Sequence, residues 1–273
     1  MNKDMNKDIK LLAIDLDDTL LRDDNTISDY TRNVLQRAQA AGIHIVIATG
    51  RMYQTARPVG LTLGIGDLPM ILFSGGLIQR IESGEIIWER VIEPAVANEI
   101  LALAKEHGWY VQSYVDDVLL VHHETEESKL YERNTGAKAV FVGDDIYTTK
   151  KGPNKLLFIN DGDTLAHIGA TLNERFGNAL EIVRSKVNFL EINGTNSTKG
   201  NALRQMVDEL GLTADQVVAF GNSENDVPML TYAGTAVAVA NAEEPVKALA
   251  YEICEANEVD GVAKWIEAHV LTN

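Results

Sequence analysis

The stretch that decides the fold is Lys10–Leu21, with the sequence KLLAIDLDDTLL. It opens with the apolar run Leu11–Ile14 and continues into DLDD at residues 15–18. A short apolar run bounded by turn residues is typical of a fully buried strand in a parallel sheet. The acids therefore lie at the carboxyl end of that strand, where open α/β sheets place their ligand sites. Because three carboxylates within four residues repel one another, a divalent cation is a suitable partner, and a solvated acidic turn is the alternative.

The residues after this stretch alternate between helix and strand patterns. A helical segment capped by Ser28 leads into a β-branched run and the sequence ATGR at residues 48–51. A second helical segment and a strand at Met70–Phe73 follow. This order predicts βαβ units and a parallel sheet, so we expect Thr49 and Asp15 at the same edge of that sheet.

The middle of the chain has a different pattern. Short strand-like runs at hairpin spacing alternate with helical segments, beginning with EIIWERVI at residues 85–92. Strands that pair with close neighbours in the chain are typical of an α+β unit. The alternation of the first part returns after this segment. We therefore predict a doubly wound, Rossmann-like α/β core of parallel strands, formed by residues 1–84 and 196–273, with an α+β cap domain inserted at residues 85–195.

Four groups of polar residues fall at element ends in the predicted core. They are Asp15 with Asp17, Thr49, Lys199 at a helix start, and Asn222, Asn225 and Asp226 in the loop after a strand. Such a set suits phosphoryl transfer, which needs a nucleophile, positive charge on the phosphoryl oxygens and a proton for the leaving oxygen. Carboxylate oxygens also suit Mg²⁺, a hard cation that prefers oxygen ligands. Arg51 contacts phosphate or substrate, or forms a structural ion pair, and the sequence leaves both open.

The motifs DLDDTLL, ATGR, a single lysine before a helix and GNSENDVPML occur in an order that resembles the four motifs of the haloacid dehalogenase superfamily. The inserted module and the ending NAEEPVKALAYEICEANEVDGVA are similar to those of its Cof-type sugar phosphatases, so the resemblance covers nearly all of the chain. It implies a Mg²⁺-dependent phosphatase, a phosphoric monoester hydrolase, acting on small phosphorylated metabolites and foremost on sugar phosphates. Thr49 and Lys199 are 150 positions apart, so the predicted cap lies between the second and third motifs, where we expect it to carry substrate recognition.

The resemblance implies a role for each matching residue. Asp15 attacks phosphorus and forms an aspartyl-phosphate, while Asp17 protonates the leaving alcohol and then activates water. Thr49 donates a hydrogen bond to the phosphoryl group, and Lys199 neutralises the oxygens of nucleophile and phosphate. The implied phosphate contacts are Thr49, Gly50, Arg51, Lys199 and Asn225, and the implied Mg²⁺ ligands are Asp15, the backbone carbonyl of Asp17, Asn222 and Asp226. An acid at position 17 favours hydrolysis or a mutase over a stable phosphoenzyme.

Three positions depart from the pattern of that family. Asp18 stands where Gly is commoner, without an expected consequence, because Asp tolerates turn geometry. Gly75, in SGG, stands where Asn is usual, which removes a polar side chain near the pocket. Asn222 stands where Asp is usual and has one negative charge fewer. We therefore predict weaker Mg²⁺ binding, or a shift of direct coordination to Asp226.

Composition limits the partners and the location. The net charge of −16 and the lack of a basic run predict no nucleic acid and no anionic membrane partner. No apolar run approaches the roughly 20 residues that span a bilayer, and the charged start MNKDMNKDIK is unlike a signal peptide. The single cysteine, Cys254, fits a reducing cytosol, so we predict a cytoplasmic location. The expected state is a monomer or homodimer, between which the sequence does not decide. The first eight residues, in which MNKD occurs twice, are expected to be disordered.

Two other functions remain open from the sequence. A phosphomutase or transphosphorylase shares Asp15 and Asp17 but protects the intermediate from water. The second alternative is a catalytically weak regulator that binds phosphorylated metabolites, which only the presence of Asn222 in the place of the usual Asp suggests.

Overall fold

The structure is a computed structural model and describes residues 8–271. Seven of the eight residues for which disorder is expected lie outside this range. The chain forms two compact units. The first comprises the described residues up to Arg51, Ala56–Ile87 and the chain from Thr198, and the second comprises Met52–Thr55 and Trp88–Ser197.

Strands and helices of the described residues are numbered in chain order. The strands are β1 (Leu11–Asp15), β2 (His44–Ala48), β3 (Pro69–Leu72), β4 (Leu77–Arg80), β5 (Ile86–Glu89), β6 (Val111–Val115), β7 (Val118–Val121), β8 (Ala139–Phe141), β9 (Lys155–Ile159), β10 (Leu180–Lys186), β11 (Phe189–Gly194), β12 (Val217–Gly221), β13 (Thr235–Val239) and β14 (Glu252–Cys254). The helices are α1 (Asp29–Ala40), α2 (Tyr53–Thr62), α3 (Pro94–His107), α4 (Glu126–Thr135), α5 (Gly162–Phe176), α6 (Lys199–Glu209), α7 (Val227–Tyr232), α8 (Glu244–Leu249) and α9 (Gly261–His269). Within residues 8–271, none of these helices has the length and apolar character that crossing a membrane requires.

The first unit is built on an eight-stranded sheet in the order β14-β13-β12-β1-β2-β3-β4-β5. The pairings from β14 through β3 are parallel, and β3 pairs with β4 in the antiparallel sense. All five residues of β1 are buried, as expected for a central strand covered on both faces. The chain adds β2 and β3 on one side of β1 and β12 to β14 on the other. The predicted doubly wound α/β class is therefore confirmed.

Two strands of this sheet differ from the sequence predictions. The segment EIIWERVI was expected among the strands of the insert, but β5 joins β4 at the edge of the core sheet. A tight turn explains this, because the Arg80 N–H donates to the Glu85 carbonyl at 2.9 Å and returns the chain onto β4. Strand β14 follows a helix that was expected to reach Tyr251 but ends at Leu249. With three residues, β14 is too short to show a strand period in the sequence.

The second unit contains a six-stranded sheet in the order β10-β11-β9-β6-β7-β8. Its neighbours are antiparallel except for the parallel pair β7 and β8. Buried apolar residues of α3 and α5, among them Ile100 and Ile168, pack against Leu156 and Phe158 of β9. This is the α+β organisation that the local strand spacing predicts.

Candidate active site

The carboxyl end of β1 turns sharply into the acidic loop. Asp15 is the last residue of the strand and is only 4% exposed. Asp17 then has extended backbone angles and Asp18 a left-handed conformation, with φ 57° and ψ 13°. Asp is among the residues that tolerate this region, which agrees with the expectation that Asp18 is compatible with the turn. The turn leaves the side chain of Asp17 about half exposed, while that of Asp15 stays buried.

A buried lysine joins two buried carboxylates at this end of the sheet. The Lys199 Nζ donates to Asp15 Oδ1 and to Asp226 Oδ1, each at 2.6 Å. Lys199 is the first residue of α6, whose N-cap Thr198 accepts from the Asn201 N–H at 3.2 Å. A cation is unfavourable at a helix N-terminus, and the two carboxylates offset this. Residues that are distant in the chain thus meet where β1 and its neighbour β12 end, as the motif spacing predicts.

Burial and the neighbouring charges shift the ionisation of Asp15 and of Lys199. Burial, together with repulsion by Asp226, raises the pKa of Asp15 to about 7, although the charge of Lys199 acts in the opposite direction. Burial alone lowers the pKa of Lys199, but attraction by Asp15 and Asp226 outweighs it, so the pKa of Lys199 is raised. With both acids ionised, one ammonium faces two carboxylates. The cluster then has an excess negative charge in a dry environment, which suits a further cation.

The raised pKa of Asp15 makes the free energy of unfolding depend on pH. The pKa of Asp15 lies near 7 in the folded protein and at 3.8 ordinarily, so between these values the folded state binds more protons than the unfolded state. The free energy of unfolding of the metal-free protein therefore receives a falling contribution as the pH rises through this window. Urea unfolding in a chelator should show wild type losing stability relative to Asp15→Asn across the window, and a constant difference would contradict the shift.

Arg51 forms an ion pair with Asp17. Its Nε lies 3.1 and 3.0 Å from the two carboxylate oxygens of Asp17, and its Nη2 donates to Oδ1 at 2.5 Å. Thr49 is adjacent, since its Oγ1 donates to Asp17 Oδ2 at 3.4 Å and accepts from the Arg51 N–H at 3.1 Å. The Nη2 of Arg51 also donates to Asn25 at 3.1 Å, a contact that no sequence signal indicated. Of the two alternatives for Arg51, the structure shows the ion pair, and a contact between Arg51 and phosphate stays a prediction.

The loop after β12 is organised by the side chain of Asp226. Its Oδ2 accepts the backbone N–H groups of Asn222 and Ser223 at 2.9 and 3.1 Å, while its Oδ1 accepts from Lys199. Asn225 accepts from the Ser223 hydroxyl at 2.7 Å. Both oxygens of Asp226 thus have protein partners in Lys199 and the loop, and its direct contact with Mg²⁺ stays a prediction.

The oxygen donors at this edge are not all carboxylates. Within residues 8–271, no three His, Cys, Asp or Glu side chains are grouped so that they could hold a metal ion. The predicted set has only two such side chains, Asp15 and Asp226, together with the carbonyl of Asp17 and the amide of Asn222. A mixed set of oxygen donors still fits a hard cation such as Mg²⁺, which commonly keeps several waters and few carboxylates.

The backbone after β3 bears on the Gly75 position of the sequence analysis. Gly75 has φ 114°, and a Cβ there would lie 2.2 Å from the carbonyl oxygen of Thr198. An Asn side chain would not fit this backbone at position 75, and the expected departure at Gly75 stays a prediction. Ser74 has φ 55°, a left-handed conformation that Asn adopts readily. We therefore infer that Ser74 takes the place of the usual Asn; its buried hydroxyl has no hydrogen-bond partner among residues 8–271.

This backbone geometry predicts a contrast between two substitutions. Gly75→Asn should destabilise the protein by about 3 kcal/mol or more, because the new Cβ overlaps backbone and needs positive φ. Ser74→Asn introduces the same side chain one residue earlier and should have a much smaller effect. Thermal or urea unfolding of both variants measures the contrast, and equal losses of stability would contradict the inference about Ser74.

Comparison with known proteins gives a consistent result. The sequence model described as haloacid dehalogenase-like hydrolase matches residues 12–266. The chain is 33% identical to the 5-amino-6-(5-phospho-D-ribitylamino)uracil phosphatase YcsE of Bacillus subtilis strain 168, over 97% of each protein. It is 27% identical to the pyridoxal phosphate phosphatase YbhA of Escherichia coli K12, over 96% of this chain and 99% of that protein. The crystal structure of a haloacid dehalogenase-like hydrolase from Bacteroides thetaiotaomicron superposes with a TM-score of 0.87 at 28% identity, covering 95% of this chain and 99% of the other.

Proposed function

Because this chain belongs to the haloacid dehalogenase-like hydrolase family, we propose that it is a Mg²⁺-dependent phosphatase that hydrolyses small phosphorylated metabolites through an aspartyl-phosphate on Asp15. The observation that carries the proposal is the buried cluster of Asp15, Lys199 and Asp226 at the carboxyl end of the central strand. Relatives named as phosphatases support the same class of reaction.

The residues of the first unit suit a two-step displacement. The carboxylate of Asp15 attacks phosphorus while the bond from phosphorus to the alcohol oxygen breaks, and Asp17 gives that oxygen its proton. Asp17 then takes a proton from water, which attacks phosphorus, releases inorganic phosphate and restores Asp15. Lys199 neutralises the oxygens of Asp15, and Thr49 and Arg51 keep Asp17 at the edge of the site. Gly50 and Asn225 are proposed phosphate contacts from their motifs.

Asp15, the carbonyl of Asp17 and Asn222 are the proposed Mg²⁺ ligands. Bound Mg²⁺ supplies positive charge that offsets the two carboxylates and the oxygens of the transferring phosphoryl group. We propose that Asp226 acts foremost through Lys199 and the loop, because its two oxygens bind there.

The substrate is proposed to be a small phosphate ester, with sugar phosphates favoured by the resemblance of the motifs. Two relatives are named for phosphates that have a heterocycle, which adds this type of ester to the candidates. Residues 85–195 are proposed as the cap that determines specificity. Cytoplasmic location and the monomeric or dimeric state stay predictions.

Hydrolysis of para-nitrophenyl phosphate, with Mg²⁺ and with a chelator, tests the proposal. Turnover that requires Mg²⁺ supports it, and a panel of sugar, ribityl and pyridoxal phosphates then ranks the substrates by kcat/KM. Turnover only with an acceptor present would favour the mutase instead. Binding of phosphate esters without turnover would favour the regulator.

Asn222→Asp is expected to tighten Mg²⁺ binding. The change adds a carboxylate to a set that otherwise has Asp15 as its charged ligand, and we expect the Mg²⁺ concentration for half-maximal activity to fall about tenfold. Asn173→Asp adds the same charge at an exposed position of α5 in the second unit and is the matched control. If Asn222→Asp leaves the Mg²⁺ dependence unchanged, Asn222 is not a ligand.

A further inference from the structure

The loop that follows β1 departs from regular helical geometry and is held by contacts from outside itself. Asp17 and Asp18 leave helical geometry within Leu16–Leu20, and Asp18 has a positive φ. The Leu21 N–H donates to the Leu16 carbonyl across this loop at 2.9 Å. Catalytic groups must be held within about 0.5 Å of their productive positions, so a loop that positions Asp15 and Asp17 needs firm anchors.

Anchors come from the C-terminal part of the chain. The side chain of Asn241 donates to the Asp18 carbonyl at 2.7 Å. The side chain of Asn257 donates to the Leu21 carbonyl at 3.0 Å and to Asp23 at 3.1 Å. The two asparagines are also linked, because the Asn257 N–H donates to Asn241 Oδ1 at 3.1 Å. Asn257 is only 4% exposed, so these bonds include a buried anchor.

Two acidic residues complete the set. Glu258 accepts the Asp23 N–H at 2.5 Å, and Asp260 accepts from the Arg22 guanidinium at 2.7 Å. We call Asn241, Asn257, Glu258 and Asp260 the C-terminal clamp. The clamp contacts Asp18 within the loop Leu16–Leu20 and the three consecutive residues that follow it, Leu21 to Asp23.

We propose that Asn241 and Asn257 are positioning residues for catalysis, which fix the loop so that Asp15 and Asp17 keep their catalytic geometry. Asn241 holds the carbonyl of the left-handed residue directly after Asp17, and Asn257 fixes the point at which the loop ends. The inference rests on the proposed function for its catalytic consequence, but the positioning itself is a property of the chain that can be measured without substrate. Neither asparagine was singled out in the sequence, because their contacts join positions more than 220 residues apart.

Asn241→Ala and Asn257→Ala test the clamp, with Asn98→Ala as the matched control. Asn98 lies in the second unit, and its side chain makes three hydrogen bonds of 2.8 to 2.9 Å with the backbone of Pro94 and Thr149. Hydrogen–deuterium exchange of the peptide that spans residues 16–22 is measured on the full chain without substrate. Turnover of para-nitrophenyl phosphate is measured with a titration of Mg²⁺.

Both clamp variants should exchange about tenfold faster in this peptide and lose about tenfold or more in kcat, with KM changed less than about threefold. Asn98→Ala should change neither quantity, even where its thermal stability falls. Unchanged exchange and kcat in Asn241→Ala, whose side chain is exposed and whose loss leaves the core intact, would overturn the proposal. If wild type fails to hydrolyse the ester with Mg²⁺, the proposed function fails, whereas the exchange experiment still decides whether the clamp fixes the loop.

Discussion

Asp15→Asn is expected to lower Mg²⁺-dependent hydrolysis of phosphate esters by at least about 10⁴-fold, because the amide cannot act as the nucleophile that divides the reaction into two steps. The fold should persist. Asn at this position can still accept a hydrogen bond from Lys199, and the buried cluster loses the charge that Asp226 repels. In a chelator at about pH 8, the variant should be at least as stable as wild type.

The measurement combines steady-state turnover with trapping of the phosphoenzyme by acid quench. Wild type should yield a phosphorylated species at residue 15, and Asp15→Asn should yield none. Asp18→Asn makes the same chemical change three residues later, at a left-handed position that Asn favours, and should keep most of the activity. Substantial turnover in Asp15→Asn, with a phosphoenzyme still formed, would assign the nucleophile to another residue.

Much of the fold could be predicted from the apolar run Leu11–Ile14 and the acidic residues that follow it. A buried strand that ends in carboxylates predicts a parallel sheet with a ligand site at its carboxyl edge, and β1 has this place at the centre of the core sheet. The convergence of Asp15, Lys199 and Asp226 was also predictable, because each stands at the end or the start of a regular element. Such positions are fixed by sheet topology and do not depend on side-chain detail.

Other features depend on contacts that local patterns do not encode. Strand β5 was assigned to the wrong sheet because its partner was decided by a turn of a few residues. The position of Gly75 could be judged only from the distance to the Thr198 carbonyl. The pairing of Arg51 with Asp17 was one of two open alternatives, since an arginine at a strand end suits phosphate and carboxylate equally.

Lys199→Met is expected to be the most destabilising single change at the site. The side chain of Lys199 is fully buried, and its removal leaves Asp15 and Asp226 without their shared cation. Breaking a buried ion pair by removal of one partner typically costs about 3–5 kcal/mol in the free energy of unfolding. The loss should diminish as the pH falls, because protonation of Asp15, whose pKa is raised, relieves the repulsion. Urea unfolding with a chelator, at about pH 8 and about pH 5, measures both effects.

Two comparison variants separate charge from packing. Lys247→Met removes a lysine whose partner Glu244 is exposed, 2.9 Å away on the surface of the same unit, and should cost less than about 1 kcal/mol. Adding Asp226→Asn to Lys199→Met should recover part of the lost stability, because one of the two unpaired charges is then absent. Mg²⁺ should stabilise Lys199→Met more than wild type, since without the ammonium the added cation has two unpaired carboxylates to offset. A small loss in Lys199→Met that neither pH nor Mg²⁺ alters would mean that the carboxylates are not both charged, and the argument for a cation site at this edge would lose its physical basis.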